Sequence, residues 1–397
     1  MSKIITNDKK IKELLTRGVE EVINEKDLEK KLKSGQKLRV KLGIDPTSPN
    51  LHLGRAVPLL KLRDFQELGH QVIFIVGDFT GVVGDTSDKD SERPMMLPAV
   101  IKQNMKDYVK QAGKILDIRK CEVKYNSRWL KKLTYDKIGE QANLFSVAEF
   151  VARENIKKRM DDGKRVSLRE MLYPLMQGYD SVAVKSDVEV GGTDQRFNLL
   201  AGRELQKYFK QEPQNIIMGS LLEGTDGRKM SSSWGNVINL IDEPNDMFGK
   251  VMSIPDELII RYFTLATRVP LDDIVGIESQ LKSGANPRDV KAKLAREIVK
   301  LYHSEAEARK AEEAFDRQFR DKQAPEDMPE VKIEDQRSKI EDLLVDTKLV
   351  SSKAEARRMV EQGAVRIDGQ KVESVQDVEV RSGMIIQVGK RKFVRIK

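Results

Sequence analysis

Short apolar runs and helical apolar patterns alternate along the first half of the chain. Residues 38–45 and 71–78 are short runs rich in apolar and β-branched side chains, as expected for parallel strands that are buried on both faces. Between them, apolar positions recur with helical spacing from Leu53 to Leu68. A strand, a helix and a strand within about 40 residues form a βαβ unit, in which the two strands run parallel.

The alternation continues towards residue 240. Further strand candidates lie at 121–126 and 186–192, and long helical segments separate them. We therefore predict an α/β domain with a Rossmann-like parallel sheet over residues 1–240. Its first forty residues are expected to form a polar, helical lead-in.

The second half of the chain has a different pattern. Helical segments follow one another from Asn245 to Arg320 without a strand candidate, which predicts an all-helical domain over 241–322. Residues 323–336 contain proline and acidic side chains but few apolar ones, as is typical of a linker. Residues 337–397 combine a helix with strands and an Asp-Gly turn, which predicts a small α+β domain.

Positive charge is concentrated in this last domain. The chain of 397 residues has 71 Lys and Arg against 63 Asp and Glu, a formal net charge of +8. Residues 337–397 hold 14 of the basic and 9 of the acidic residues, and so five of the eight net charges. This concentration favours a polyanionic partner such as nucleic acid, although a solvated basic surface would give the same count.

Cysteine and histidine are too scarce for several classes of site. Cys121 is the single cysteine, which excludes an internal disulfide framework and a cysteine zinc site, and three histidines argue against a multi-histidine metal centre. No apolar stretch approaches the roughly 20 residues of a membrane span, and the N-terminus lacks the apolar core of a signal peptide. We therefore expect a cytoplasmic protein with no membrane segment and no metal site of its own.

Two glycine-bearing segments carry groups suited to phosphate. Residues 43–55 (GIDPTSPNLHLGR) lie where a strand ends and a helix begins, the position at which open α/β sheets bind ligands. A helix N-terminus there offers free N–H groups to phosphate oxygens. Residues 225–236 (TDGRKMSSSWGN) form a serine-rich loop with Lys229, which suits a mobile clamp on a triphosphate. Taken singly, the first segment also fits an ordinary helix start and the second a surface turn.

Two further segments indicate a polar pocket. Tyr173, Gln177 and Asp180 are spaced i, i+4, i+7, so one face of a helix carries a phenol, an amide and a carboxylate. Residues 188–195 run from a strand into paired glycines and then to Asp194, a carboxylate placed to accept hydrogen bonds from ribose hydroxyls. A solvated helix face and a simple turn are the plainer interpretations of these two segments.

In this order, the four segments resemble the motifs of the class I aminoacyl-tRNA synthetases, and within that class the bacterial-type tyrosyl-tRNA synthetases. HLGR (52–55) stands where the family has HIGH, and KMSSS (229–233) stands where it has KMSKS. The pattern Tyr-x-x-x-Gln-x-x-Asp at 173–180 is similar to the family's tyrosine site, and residues 191–195 are similar to its Gly-Gly-x-Asp-Gln segment.

The resemblance runs nearly end to end and implies an enzyme that joins tyrosine to its tRNA. The family activates L-tyrosine with ATP, giving tyrosyl-adenylate and pyrophosphate, and then transfers the tyrosine to the 3′ end of tyrosine tRNA. ATP is a substrate that binds together with Mg²⁺, and family members are homodimers. Residues 1–240 would hold the tyrosine and ATP sites, 241–322 look like the helical anticodon-binding domain, and 337–397 look like a C-terminal RNA-binding domain of the ribosomal-protein S-four type.

The resemblance also implies which residues act. Catalysis is expected from Thr47, His52, Arg55 and Lys229. ATP is expected to contact Gly54, Lys89, Arg93, Gly192, Asp194, Lys229, Ser231 and Ser232. Tyrosine is expected to contact Asp45, Asp85, Asn126, Tyr173, Gln177, Asp180 and Gln195. A hydrogen bond from the phenol to Asp180 would separate tyrosine from phenylalanine, a kind of discrimination for which this enzyme family is itself the standard example.

Several positions depart from the family pattern. Arg55 replaces the second histidine of HIGH, Ser232 replaces the second lysine of KMSKS, and Asp88 replaces a glycine near the expected phosphate path. Lys41 stands where some relatives have a tyrosine that contacts the phenol, which gives Asp180 more weight. Two alternatives therefore stay open. One is a non-catalytic RNA-binding protein on a synthetase scaffold, and the other is a different nucleotidyl transferase or class I synthetase, such as a tryptophan enzyme.

Overall fold

The computed structural model describes residues 4–86, 91, 94–319, 328–333, 337–389 and 392–397. The chain divides into two units, Met1–Arg309 and Lys310–Lys397. Within the described ranges, no helix combines the length and the apolar character needed to cross a bilayer.

A six-stranded sheet forms the centre of the first unit. Its strands are β1 (Val19–Ile23), β2 (Arg39–Ile44), β3 (Gln71–Val76), β4 (Glu122–Tyr125), β5 (Val188–Gly192) and β6 (Asn215–Gly219). Their order across the sheet is β1-β6-β5-β2-β3-β4, with all neighbours parallel except β1, which is antiparallel to β6. The predicted fold class, with its Rossmann-like parallel sheet, is confirmed, and β2, β3, β4 and β5 are the four predicted strands.

The prediction of a purely helical lead-in is wrong. Helices α1 (Asp8–Thr16) and α2 (Glu25–Lys33) flank the edge strand β1, whose sequence VEEVI contains two adjacent glutamates. An edge strand has a neighbour on one side only and tolerates charged side chains. The alternation of apolar and polar positions that would reveal the strand in the sequence is therefore weak. β6 was also missed. Its sequence is NIIMG, it pairs with β5 on one side and β1 on the other, and its first four residues are buried. This burial was not recognised in the sequence.

Ten further helices connect and cover the strands of this sheet. They are α3 (Leu53–Glu67), α4 (Thr80–Val83), α5 (Pro98–Asn104), α6 (Tyr108–Ala112), α7 (Ser127–Leu130), α8 (Tyr135–Ala142), α9 (Val147–Val151), α10 (Glu154–Asp161), α11 (Leu168–Val184) and α12 (Arg196–Tyr208). α3 packs on β2, β3 and β5, and α11 packs along α12. A capping box of Ser167 and Glu170 begins α11 and satisfies backbone N–H groups at its first turn.

The predicted run of helices after residue 245 is present. It consists of α13 (Pro244–Met252), α14 (Ile259–Ala266), α15 (Leu271–Lys282), α16 (Pro287–Tyr302) and α17 (Glu305–Phe319). Asn286 caps α16 by accepting a hydrogen bond from the Arg288 amide, and Pro287 occupies its first position. Because α13 to α16 belong to the same unit as the sheet, the boundary at 240/241 stays a prediction.

The second unit contains a small sheet and two helices. Its strands are β7 (Glu330–Val331), β8 (Arg337–Lys339), β9 (Val365–Ile367), β10 (Gln370–Lys371), β11 (Asp377–Glu379), β12 (Ile385–Val388) and β13 (Lys392–Ile396), and its helices are α18 (Ile340–Asp346) and α19 (Lys353–Glu361). The five-stranded sheet has the order β10-β9-β12-β13-β7, and β11 pairs with β8. Asp368 and Gly369 both have positive φ in the turn from β9 to β10, as the Asp-Gly sequence predicts.

The segment predicted as a linker is only partly described. β7 lies within it and pairs in parallel with β13, so Glu330 and Val331 belong to the sheet of the second unit rather than to a free connection. Residues 320–327 and 334–336 lie outside the described residues.

Candidate active site

A cavity of about 560 Å³ opens where the carboxyl ends of β2, β5 and β6 meet the N-terminus of α3. The chain leaves β2 for β3 on one side and β5 lies on the other, so the cavity sits at a topological switch point of the sheet. The predicted site residues that line it are Asp45, Thr47, His52, Gly54, Arg55, Asp85, Asn126, Tyr173, Gln177, Asp180, Gly192, Asp194, Gln195, Lys229, Ser231 and Ser232. Lys89 and Arg93, together with Asp88, lie outside the described residues.

Tyr173 and Asp45 meet at one end of the cavity. The Tyr173 hydroxyl donates to Oδ2 of Asp45 at 2.8 Å, and the hydroxyl of Thr80 donates to Oδ1 at 2.6 Å. Burial raises the pKa of Asp45 to about 6, against the opposing effect of these two hydrogen bonds. Gly77 makes room for the group, because a Cβ at this position would lie 2.0 Å from Oδ1 of Asp45. Sequence reasoning missed Thr80 and Gly77, although both follow directly after β3.

Asp180 is a buried carboxylate with two donors from outside its own helix. The indole Nε1 of Trp129 donates to Oδ1 at 2.7 Å, and Nδ2 of Asn126 donates to Oδ2 at 3.2 Å. Only 4% of the Asp180 surface is exposed, and burial raises its pKa to about 7. Each carboxylate oxygen keeps a lone pair for another donor. Trp129 was not predicted, because its place on the short helix α7 gives no sequence signal for a pocket.

A buried ion pair lies beside these carboxylates. The Lys41 ammonium is 2.9 Å from Oε1 of Glu189, and both side chains are almost fully buried. Oε1 also accepts a hydrogen bond from Nε2 of Gln177 at 3.2 Å. Glu189 lines the cavity but was not predicted. The sequence did contain a signal, because a charged residue inside each of two buried strands requires a partner.

A row of amides connects Gln177 to Asp85. Nδ2 of Asn198 donates to the side-chain carbonyls of Gln177 (3.1 Å) and Gln195 (3.0 Å). Nε2 of Gln195 donates to Oδ2 of Asp85 at 2.7 Å. Gln195 thus binds Asp85 directly, and Asn198 joins Gln177 to Gln195. Sequence reasoning missed Asn198.

His52 stands at the N-terminus of α3 with its imidazole buried. Burial, and then the positive charges of Arg55 and Lys229, lower the pKa of His52 to about 3, so the ring is neutral at physiological pH. Among the described residues, none forms a hydrogen bond with its Nδ1. Gly54 faces this ring, and a Cβ there would lie 3.1 Å from Nδ1. The first N–H groups of the fifteen-residue helix α3 place a positive dipole end at the same position.

Arg55 does not simply replace a histidine. Its NH1 donates to the Asp45 carbonyl at 2.9 Å and to the Tyr108 hydroxyl at 2.7 Å, and its NH2 donates to the Thr47 hydroxyl at 2.9 Å. The Tyr108 hydroxyl in turn donates to the Ser48 carbonyl at 2.7 Å. The guanidinium thus fixes the turn after β2 and occupies a lone pair of the Thr47 hydroxyl, whose proton stays available to a phosphate oxygen.

The serine-rich loop lines the cavity with residues 229–233. Nζ of Lys229 lies 2.9 Å from Oδ2 of Asp194. The Ser231 amide donates to Oδ1 of Asn236 at 2.9 Å, which closes the loop on itself. The hydroxyls of Ser232 and Ser48 lie 3.2 Å apart, so the loop meets the turn that Arg55 fixes.

Two family models cover almost the whole chain. The model of the tRNA synthetases class I (W and Y) matches residues 5–320, and that of the tyrosine–tRNA ligase SYY-like C-terminal domain matches residues 321–396. Among curated proteins, the tyrosine–tRNA ligase of Moorella thermoacetica is 48% identical over 96% of this chain and 94% of its own length. The tyrosine–tRNA ligase of Thermotoga maritima is 47% identical over 99% of this chain and 98% of its own.

Solved structures agree with the fold. A C-terminally truncated mitochondrial tyrosyl-tRNA synthetase from Aspergillus nidulans matches with a TM-score of 0.65 at 23% identity, over 79% of this chain and 95% of its own. The tyrosyl-tRNA synthetase of Archaeoglobus fulgidus complexed with L-tyrosine matches with a TM-score of 0.60 at 24% identity. The match covers 77% of this chain and 99% of that structure's chain. At these identities the likeness concerns the fold alone. The family models and the curated relatives carry the assignment, and the chain belongs to the class I aminoacyl-tRNA synthetases of the tryptophan and tyrosine family.

Proposed function

We propose that this chain catalyses the reaction named for its curated relatives, the ligation of tyrosine to tRNA. A tyrosine carboxylate oxygen attacks the α-phosphorus of ATP, the bond to the β-phosphate oxygen breaks, and pyrophosphate leaves. A 3′-terminal ribose hydroxyl of tyrosine tRNA then attacks the carbonyl carbon, forming an ester and releasing AMP. The observation that carries the proposal is that one cavity is lined by a buried carboxylate, Asp180, and by two groups suited to binding phosphate, the His52 imidazole and the Lys229 ammonium.

The tyrosine is placed with its phenol at Asp180. This carboxylate already holds two donors and has acceptor capacity left for a phenol O–H. Phenylalanine would leave that buried acceptor without its partner, which is a costly loss. The α-ammonium group is assigned to the other end of the pocket, near Tyr173, Gln177 and Asp85, with Asp45, Asn126 and Gln195 completing the pocket.

The phosphates of ATP are placed at the start of α3. Neutral His52, the Thr47 hydroxyl and the Lys229 ammonium supply donors for charge that develops on the α-phosphate and on the leaving pyrophosphate. Gly54 allows the nucleotide to approach the helix backbone. The adenosine and loop contacts are assigned to Gly192, Asp194, Ser231 and Ser232, and Lys89 and Arg93 are assigned to pyrophosphate from the sequence alone.

Magnesium is proposed to arrive as a complex with ATP. A magnesium ion in a nucleotide site is usually bound through phosphate oxygens with one or two carboxylates and several waters. None of the steps above depends on a position for the ion.

The helical region and the second unit are assigned to tRNA. The domain bounds 241–322 and 337–397, with a connection at 323–336, remain those expected from the sequence. The net charge of +5 in the last 61 residues supports contact with the phosphate backbone. A role in charging tRNA for translation also fits a cytoplasmic location.

A homodimer is proposed on the basis of exposed apolar side chains. Most of the large apolar side chains that are exposed in the described chain fall between residues 95 and 172, and they include Leu97 (70%), Tyr135 (93%), Val147 (78%) and Leu168 (83%). Exposed apolar side chains of this size are the kind that a protein partner covers. A second copy of the chain is the partner that the family resemblance implies.

The proposal is tested by charging tRNA directly. The full-length protein is incubated with ATP, Mg²⁺, bulk bacterial tRNA and one labelled amino acid at a time, and label bound to tRNA is counted. We expect ATP-dependent charging with tyrosine and none with tryptophan or phenylalanine. Tryptophan charging, or binding of tRNA without any charging, would establish one of the two alternatives instead.

A further inference from the structure

The buried pair Lys41–Glu189 has a place in the fold that packing alone does not explain. The two residues face each other in register on the adjacent strands β2 and β5. Both side chains are at most 2% exposed, yet the ammonium and the carboxylate lie 2.9 Å apart. Removing two charges from water costs more than a well-packed apolar pair would, so an ion pair at this depth is weak evidence for stability and calls for another reason.

Glu189 is hydrogen bonded through both of its oxygens. Oε1 receives Lys41 and Nε2 of Gln177, while Oε2 receives the Ser181 hydroxyl at 3.2 Å and Nε2 of Gln214. Lys41 also donates to the backbone carbonyl of Gln177 at 3.3 Å. The pair therefore holds Gln177 at two points, its backbone and its side chain.

This contact decides which way the Gln177 amide points. An ionised carboxylate only accepts, so the NH₂ group of Gln177 must face Glu189. The carbonyl oxygen then faces Asn198, which donates to it at 3.1 Å, and one of its lone pairs remains. An oriented carbonyl with a remaining lone pair is suited to accept a hydrogen bond from an α-ammonium group.

The same pair bears on Asp180 at the other end of the pocket. The charged and titratable groups that face this carboxylate are Lys41 on β2, Glu189 on β5 and Tyr173 on its own helix, and its donors are Asn126 and Trp129. Lys41 is the only cation in that described set. It is also the strongest influence that opposes the rise in the pKa of Asp180 caused by burial. Loss of the lysine would therefore favour the protonated carboxyl.

We propose that Lys41 and Glu189 set amino-acid specificity in the pocket by orienting the Gln177 amide and by binding Gln177 and Ser181, which fixes the part of α11 that carries Asp180. Lys41 itself does not contact the substrate. They are positioning residues, and the proposal rests on the assignment of this pocket to tyrosine. Glu189 forms part of the cavity wall, and Lys41 lies behind it. The pair acts on both ends of the amino acid at once, which neither Gln177 nor Asp180 does alone.

The test uses the full-length protein and the variant Lys41→Met/Glu189→Gln. Because both charges are removed together, no uncompensated charge stays buried, and the glutamine keeps a carbonyl acceptor for the buried donors that reach Glu189, so the double variant is expected to fold. Its ratio of kcat/KM for tyrosine to that for phenylalanine, measured by ATP–pyrophosphate exchange at pH 7.5, should fall by about threefold or more. The loss of Lys41 outweighs that of Glu189 in its effect on the pKa of Asp180, and a rise of one unit from about 7 lowers the ionised fraction at this pH about threefold. The acidic limb of the pH profile for tyrosine should move to higher pH, and the KM for ATP should not change.

Two controls separate the possible outcomes. Arg39→Met removes a cation from the same strand, where it pairs with the partly exposed Glu122, and should leave the specificity ratio unchanged. Asp180→Asn tests the pocket itself, and should abolish the preference for tyrosine. If Asp180→Asn has no effect on the ratio, the pocket assignment fails. If Asp180→Asn removes the preference but the folded double variant keeps the wild-type ratio and pH profile, the proposal for Lys41 and Glu189 is overturned.

Discussion

The ammonium group of Lys229 lies 2.9 Å from Oδ2 of Asp194, which pairs the lysine of the KMSSS loop with the carboxylate that we assign to the ribose of ATP. The pair is partly exposed, and ion pairs of this kind contribute at most about 1 kcal/mol. ATP can therefore replace it at little cost, releasing Asp194 for the ribose and Lys229 for the phosphates. The pairing explains how the loop is held near the cavity before the nucleotide binds.

Replacing Lys229 should impair the activation of tyrosine without impairing its binding. Lys229→Met removes a cation from the developing phosphate charge, and the rate of tyrosyl-adenylate formation should fall by about 10²–10³-fold. The matched control is Arg228→Met in the same loop, since the Arg228 guanidinium packs over the Trp234 ring and pairs with Asp226. Pre-steady-state measurement of adenylate formation checks both variants, and equal losses for the two would contradict the assigned role.

Restoring the family histidine at position 55 should lower activity in this chain. Arg55→His is too short to keep the contacts with the Asp45 carbonyl, the Tyr108 hydroxyl and the Thr47 hydroxyl, so the turn after β2 would lose the three hydrogen bonds that fix it. The kcat/KM for ATP should fall by about tenfold, corresponding to roughly 1.4 kcal/mol, with the KM for tyrosine little changed. Tyr108→Phe should reproduce part of the loss, and a gain of activity in Arg55→His would refute this role for the guanidinium.

The raised pKa of Asp180 predicts a characteristic dependence of stability on pH. Its folded-state pKa, about 7, lies above the unfolded value of 3.8, so the folded state binds the extra proton between these two values. This contribution to stability is complete below pH 3.8 and is lost as the pH rises through 7. The unfolding free energy of Asp180→Asn, relative to that of the wild type, should therefore rise by roughly 2–4 kcal/mol between pH 4 and pH 8.5. Urea unfolding at both pH values checks this, and a parallel pH dependence of the two proteins would exclude a raised pKa.

Removing residues 320–397 should weaken tRNA binding while sparing the first step. The lost segment carries the basic second unit, so the affinity for tRNA and its salt dependence should both decrease. Tyrosine-dependent ATP–pyrophosphate exchange needs no tRNA and reports whether the remaining chain is folded. An exchange-competent truncated protein with unchanged tRNA affinity at each salt concentration would place the main tRNA contacts elsewhere.

Charges introduced on the exposed apolar segment should separate the proposed dimer. Val147→Glu and Leu168→Glu change side chains that are 78% and 83% exposed, so they should not disturb the folding of one subunit. Sedimentation at micromolar concentration should show a dimer for the wild type and a monomer for the double variant. Val275→Glu, at a 65% exposed position outside the segment, is the matched control and should stay dimeric.

The sequence predicted the parts of the fold that repeat a regular pattern. β3 is a continuous apolar run, and every one of its residues after Gln71 is buried, so the strand could be recognised without its neighbours. β1 could not, because its two glutamates are tolerated only at the edge of a sheet whose order was unknown. β7 spans two residues and exists only through its pairing with β13.

For the site, the motifs identified the residues on loops and helix starts but not those that hold them. Asp180 was found from its spacing to Tyr173, whereas Trp129, its closest donor, is 51 positions away in the chain. Asn198 was missed for the same reason, since a hydrogen bond between distant elements leaves no periodic signal. Glu189 was missed although a charged residue inside a buried strand indicates a buried partner. The role of Arg55 also needed the structure, because its three acceptors lie on two separate segments.

Amino-acid-dependent ATP–pyrophosphate exchange is the most direct test of the claim that this cavity activates tyrosine. The full-length protein is assayed with Mg²⁺ and each of the twenty amino acids in turn, in the absence of tRNA. We predict exchange with tyrosine alone, which would show that the pocket around Asp180 and the phosphate site with Arg55 and Ser232 work together. No exchange with any amino acid, from folded protein that still binds tRNA, would contradict the account and indicate an RNA-binding protein built on a synthetase fold.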